Sequence, residues 1–324
     1  MTIEMVHYDE FSYFHENAEE FGIPYDGPPV VRRETVVMAD GREHSALVWG
    51  EGAPELVFLH GGAQNAHTWD TVALALGRPM VCIDLPGHGH SGPPAEGSTN
   101  VRSNAEDVAT VMRALAPDAH AVIGMSLGGL TLLALSQHAP DLVRKGILVD
   151  VTPGVDQKKA SKIAAFVNGP ESFPSFEELL ARTIEFNPTR TESSLRRGIL
   201  HNAEQRPDGS WVWRYARFRL AEPPAEGSDG EGADNAGAVS EEAEVVDGHP
   251  QFGSMWDAVE AFPAPLMLAR GMRDQSVVDD ADEAELLRLA PDARVEHVAE
   301  AGHSLQGDTP LELAGLITDF VFGS

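Results

Sequence analysis

Short, mainly apolar runs punctuate the chain at Glu55–Leu59, Pro79–Ile83, Ala121–Ile123, Lys145–Val151 and Leu266–Ala269, and a further strand reads at Arg294–Val298. Runs of this length, bounded by turn residues, predict strands buried on both faces. Between them lie longer stretches with apolar residues at helical spacing, at 67–76, 100–115, 130–138, 279–289 and 310–322. Strands alternating with helices predict a parallel sheet in an α/β fold. Ahead of them, Glu34–Ala39 and His44–Trp49 flank Asp40-Gly41, a hairpin signal that adds an antiparallel edge. Residues 1–33 are aromatic-rich but aperiodic, broken by Gly22, Pro24, Gly27, Pro28 and Pro29. They read as an extension wrapped on the surface.

The alternation stops between Thr152 and Phe262. Helical patterns persist there at Gln157–Val167, Ser175–Asn187 and Glu192–Asn202, with large apolar residues such as Phe166, Phe186, Trp211 and Trp213. No clear alternation of strand and helix is legible. Within this stretch, Ala221–Gly248 holds nine acidic residues and no Lys or Arg. Such a composition cannot bury enough apolar surface to fold alone, so a mobile, solvated loop is expected. The predicted organisation is an extension (1–33), a discontinuous core (34–152 and 263–324) and a helical insertion (153–262) containing the loop 221–248.

Charge narrows the partners. A net charge of −28 over 324 residues disfavours nucleic acid and anionic membrane surfaces. The one cysteine, Cys82, lies in an apolar strand pattern and reads as an inert core thiol. Met1–Glu20 has no apolar signal-peptide core, and no apolar run reaches membrane-spanning length, so a cytoplasmic setting is expected.

The chemistry centres on Gly124-Met-Ser-Leu-Gly128, a G-x-S-x-G match between the run Ala121–Ile123 and the helical pattern that follows. Strand, sharp turn and helix is the context the motif requires. The serine at such a turn is held in a strained backbone, so the residues two positions either side must be small. That strain projects the Ser126 hydroxyl out of the sheet beside the positive end of the new helix. The bland alternative is a glycine-rich turn with an incidental serine. A hydroxyl is a weak nucleophile that needs a base, and the base needs an orienting group. The chain supplies an acid and a histidine after Ser126, all at the C-terminal ends of predicted strands, where open α/β sheets place their sites.

The joint occurrence of His60-Gly61-Gly62, Asp84-Leu-Pro-Gly-His-Gly-His-Ser91, Gly124-Met-Ser-Leu-Gly128, Gly271-Met-Arg-Asp274 and Gly302-His303 resembles the α/β-hydrolase fold family over residues 34–324. The resemblance implies a mostly parallel central sheet flanked by helices, with an inserted helical cap. It implies Ser126 as nucleophile, His303 as general base, and an oxyanion hole from the backbone N–H groups of Leu127 and Gly62. For the acid, Asp274 holds the usual family position after the penultimate strand. Asp150, at the end of the strand before the insertion, is the alternative. Asp279 reads as a helix N-cap. His60 is expected to be structural, and His88 and His90 to fix their loop. These three lack metal-ligand spacing such as H-x₃-H with a carboxylate, and neither metal nor cofactor is expected.

The implied activity is a serine hydrolase of the carboxylesterase kind, acting on a small apolar ester through an acyl-enzyme. The same residues would also suit cleavage of C–C, lactone, amide or iminopeptide bonds. Members of the fold that act as ligand receptors or cofactor-free oxygenases form a further alternative. Epoxide hydrolases and haloalkane dehalogenases carry Asp where Ser126 stands, and no nucleotide-binding glycine motif follows the first strand.

Overall fold

The structure is a computed structural model, and it describes residues 5–95, 100–155, 158, 161–188, 190–215 and 255–323. The acidic tract 221–248 lies outside the described residues.

The extension is more ordered than its sequence suggests. Residues Phe14–Phe21 form helix α1, closed by Gly22 in the left-handed region at φ 65°. Phe14 and Ala18 are buried, and the Phe14 ring packs 4.9 Å from that of Trp49. A single apolar stripe over two turns is too short to show as periodicity among the surrounding prolines and glycines.

The hairpin forms as expected. Strands β1 (Val31–Val37) and β2 (Glu43–Trp49) pair antiparallel about Gly41, at φ 85°. Then follow β3 (Leu56–Leu59), α2 (Asp70–Leu76), β4 (Met80–Ile83), α3 (Val101–Leu115), β5 (Ala121–Met125), α4 (Leu127–His138) and β6 (Gly146–Val149). The next stretch carries α5 (Ser161–Val167), β7 (Ser172–Phe173), α6 (Phe176–Phe186), α7 (Glu192–Asn202), β8 (Ala203–Gln205), β9 (Trp211–Trp213) and α8 (Trp256–Glu260). The chain closes with β10 (Leu266–Gly271), α9 (Asp280–Leu289), β11 (Arg294–Val298), α10 (Leu305–Asp308) and α11 (Pro310–Phe322).

Eight strands form one sheet in the order β1-β2-β4-β3-β5-β6-β10-β11. From β4 to β11 every pairing is parallel. Alternate residues of each strand face opposite layers. Val57, Leu59 and Val122 pack among α3, α4, α8 and α9, whereas Leu56, Phe58 and Ile123 pack among α1, α2 and α11. Both faces are therefore covered, which is why the central strands are apolar throughout.

Between β6 and β10 the helical reading needs a correction. Besides α5, α6 and α7, this stretch contains a three-stranded antiparallel sheet, β7-β9-β8. Its strands are two or three residues long. No alternation can register over so few positions. The sheet is held by aromatic packing: Trp211 against Phe176 at 5.1 Å, and Trp213 edge-on to Phe173 at 6.0 Å.

Candidate active site

Ser126 stands between β5 and α4 at φ 50°, ψ −117°. This region is unfavourable for a side-chain-bearing residue and is tolerated only where the surroundings enforce it. The glycines are that enforcement. A Cβ on Gly124 would overlap the backbone of Gly128 and Gly129, and one on Gly128 would overlap the carbonyls of Leu59 and His60. The helix that starts at Leu127 points its first N–H groups, which have no intrahelical acceptors, toward this end of the sheet.

His303 follows β11 and lies just before α10. Its Nδ1 is 2.9 Å from Oδ2 of Asp150, the residue directly after β6. Asp150 is fully buried and also sits in the left-handed region, at φ 46°. Its Oδ1 accepts from the Gly271 N–H (2.9 Å) and the Ser276 hydroxyl (2.6 Å). Its Oδ2 accepts from the Val277 N–H (3.1 Å). An ionised carboxylate only accepts, so His303 Nδ1 carries the hydrogen and Nε2 is left as an acceptor.

Asp274, the acid expected at the usual family position, does not meet His303. It is exposed on the wall of the cavity, and no hydrogen bond joins it to His303 among the described residues. The physical reason is the path of residues 272–279. They fold over the end of β6, so that Ser276 and Val277, not Asp274, reach inward. The signal that favoured Asp150 was present in the sequence: a carboxylate directly ending a fully apolar strand is buried, and a buried carboxylate requires partners.

Ser126, His303, Gly62 and Asp274 line one cavity of about 840 Å³. The stretch between β6 and β10 closes it with apolar side chains, including Phe166, Phe186 and Val167. Arg190 and Lys158 also line it, so the wall is apolar with a few charged groups.

The other expected roles can be placed. His60 is buried, with Nε2 accepting from the Leu85 N–H (2.9 Å) and Nδ1 donating to the Gly61 carbonyl (2.7 Å). Burial holds its imidazole below the ordinary range, which keeps it neutral for this bonding. His88 is buried beside it and is pushed down to about 3, by burial first and by His60 second. Its Nδ1 lies 3.0 Å from the Pro86 carbonyl. Asp279 caps α9, accepting from the N–H groups of Ala281 and Asp282.

A second buried cluster was not legible in the sequence. His67, Asp70 and His201 bring one ligand atom each within 4.8 Å. The His67 and His201 rings are stacked, with centroids 3.9 Å apart and planes 14° from parallel. The lone pairs of stacked rings lie in separate planes, so one ion could not sit in both at the ~2.0–2.1 Å of a metal–imidazole bond. A proton fits instead. His67 lies between Asp70 (2.9 Å) and Glu10 (3.2 Å). Burial lowers its affinity for a proton, but these two carboxylates outweigh burial and raise its pKa to about 9.

The family model described as alpha/beta hydrolase fold matches residues 54–310. Esterase Rv0045c of Mycobacterium tuberculosis is 41% identical over 321 residues, spanning 97% of this chain and 96% of that protein. A solved structure of that esterase superposes with a TM-score of 0.79, covering 97% of this chain and 99% of the other. The sn-1-specific diacylglycerol lipase ABHD11 of Mus musculus is 23% identical over 278 residues, 83% of this chain and 81% of that protein. The structure of E-2-(acetamidomethylene)succinate hydrolase, at 21% identity and TM-score 0.72, shares the fold over 90% of this chain and 99% of its own. With a family match across most of its length and a near-full-length relative at this identity, the chain belongs to the α/β hydrolase fold family.

Proposed function

We propose that the protein is a serine hydrolase that cleaves small, apolar carboxylic esters through an acyl-enzyme, with Ser126 as nucleophile, His303 as general base and Asp150 as the acid. The observation that carries this reading is the Asp150–His303 bond beside the Ser126 elbow, on the wall of one cavity. The similarity to an esterase over nearly the whole chain supports the choice of an ester.

His303 Nε2 takes the Ser126 proton as the oxygen attacks the ester carbonyl. Asp150 keeps the hydrogen on Nδ1 and stabilises the imidazolium that forms. The N–H groups of Leu127 and Gly62 stabilise the oxyanion, at roughly 3–4 kcal/mol per donor by mutational precedent. The imidazolium then protonates the leaving alcohol, and water repeats the sequence on the acyl-enzyme. The stretch 153–262 acts as a cap whose apolar wall, with Phe166 and Phe186, selects the acyl or alcohol part. The partner is a small molecule. Among the described residues no helix is long and apolar enough to cross a membrane. The buried, unpaired Cys82 supports a reducing, cytoplasmic setting.

Labelling with a fluorophosphonate tests the reading. The label should fall on Ser126, and Ser126→Ala should lower kcat toward short-chain p-nitrophenyl esters by about 10⁴ or more with the fold intact. A label on another serine, or turnover that survives the substitution, sinks the assignment.

A further inference from the structure

The turn that carries Gly62 contains a conformational oddity. Ala63, the next residue, has φ 60°. This is the left-handed region, where a residue with a Cβ is disfavoured and glycine is not. Within the turn, the Gln64 N–H donates to the Gly61 carbonyl (3.2 Å), and Gln64 Oε1 accepts from the Gly61 N–H (3.0 Å). Neither bond touches Ala63.

Ala63 is instead gripped from the cap side. Asn202, the last residue of α7, donates from Nδ2 to the Ala63 carbonyl at 2.6 Å. Asn202 is itself fixed, because its Oδ1 accepts from Asn65 Nδ2 (3.1 Å). Asn65 Nδ2 also donates to the His201 carbonyl (3.0 Å), and Asn65 Oδ1 accepts from the His67 N–H (2.9 Å). The Ala63 methyl packs in a buried cluster with Val167 and Tyr215. Both the carbonyl and the side chain of Ala63 are therefore held by residues lying between β6 and β10.

We propose that Asn202 is a positioning residue for the oxyanion donor. By holding the Ala63 carbonyl it keeps the turn in its left-handed form and so aims the Gly62 N–H, and the oxyanion hole is complete only while the cap is seated. This inference rests on the hydrolase reading above. It adds that the cap has a second task besides lining the cavity. Cap and oxyanion turn form one mechanical unit, joined at Ala63 by the Asn202 amide on its carbonyl and by Val167 and Tyr215 around its methyl.

The test uses full-length protein and a short-chain p-nitrophenyl ester. Asn202→Ala removes the brace. Asn202→Asp keeps the shape and the acceptor for Asn65 but loses the donor. An oxyanion donor acts on the transition state, so kcat should fall by roughly 30-fold, below the ~10²–10³ of losing a donor outright. KM should stay within about threefold of wild type. The same substitutions are then made in an Ala63→Gly background. Glycine adopts φ 60° without the Cβ penalty that the brace must offset, so the loss of kcat on removing Asn202 should shrink to under about fivefold there. A general loss of packing would cost the same in both backgrounds. Equal losses in the two backgrounds, or a kcat unchanged by either Asn202 variant, overturn the proposal. Wild-type protein with no ester turnover overturns the hydrolase reading itself, and the brace with it.

Discussion

Asp150 and His303, 153 positions apart in the chain, meet at 2.9 Å with the histidine donating from Nδ1. Three further donors, from Gly271, Ser276 and Val277, occupy the remaining positions around the Asp150 carboxylate. The histidine is consequently presented in one tautomer and one orientation. Exchanging the carboxylate for an amide disturbs both. Asp150→Asn should cost on the order of 10⁴ in kcat with KM little changed, by the precedent of the serine-protease triad. Asp274→Asn should cost less than about tenfold. Steady-state kinetics on the two variants decides the matter, and the reverse ranking would return the acid role to Asp274.

The elbow glycines make a stability prediction. Gly124→Ala would drive a methyl into the backbone of Gly128 and Gly129, neither of which can move without displacing α4 from the sheet. Overpacking against backbone should cost at least about 1–3 kcal/mol. Denaturant titration should show that loss, and fluorophosphonate labelling of Ser126 should fall with it.

The extension should behave as part of the core. Phe14 is almost fully buried against Trp49. Phe14→Ala is expected to cost about 3 kcal/mol or more, a value typical of a truncated core aromatic. A change under about 1 kcal/mol in the unfolding midpoint analysis would mean that α1 only rests on the surface.

His67 and Glu10 set a pH window for docking of the extension. His67 is raised to about 9, so its contribution is complete below about 6.5 and is lost as pH rises through about 9. Burial raises the Glu10 carboxyl, but bonding to His67 and Arg33 overcomes this and brings it down to about 2. Its contribution is complete above about 4.5 and is lost as pH falls through about 2. The network is thus strongest between about pH 4.5 and 6.5. Between pH 6.5 and 9.5 the Tm of wild type should fall more steeply than that of His67→Gln. Parallel curves would show that His67 carries no extra proton.

The legibility of the sequence followed the length of its patterns. Buried strands such as Leu56–Leu59 and Gly146–Val149 announce themselves because both faces are covered and every position is apolar. Ser126 is legible because the steric demand of the elbow is local: Gly124 and Gly128 lie within two residues of it. Asp150 and Asp274 both follow strands that end at the same edge of the sheet. Choosing between them required the path of residues 272–279, which no local pattern encodes. The grip of Asn202 on Ala63 spans 139 positions and uses an ordinary asparagine, so nothing in either segment marks it. Nothing in the sequence marks the sheet β7-β9-β8, because strands of two or three residues are too short to show an alternation.

The place of the insertion in the chain divides the proposed catalytic groups unequally. It begins shortly after β6 and Asp150, so the nucleophile, the acid and both oxyanion donors all precede it, and only His303 arrives afterwards. A chain cut within 221–248 would yield one fragment holding everything except the base, and a second holding β10, β11 and α11 with His303. Between them they bury the β6–β10 pairing and the contact of α11 with α2. Mixing the two fragments should restore turnover from parts that are each inert, which makes the protein a natural candidate for a split reporter.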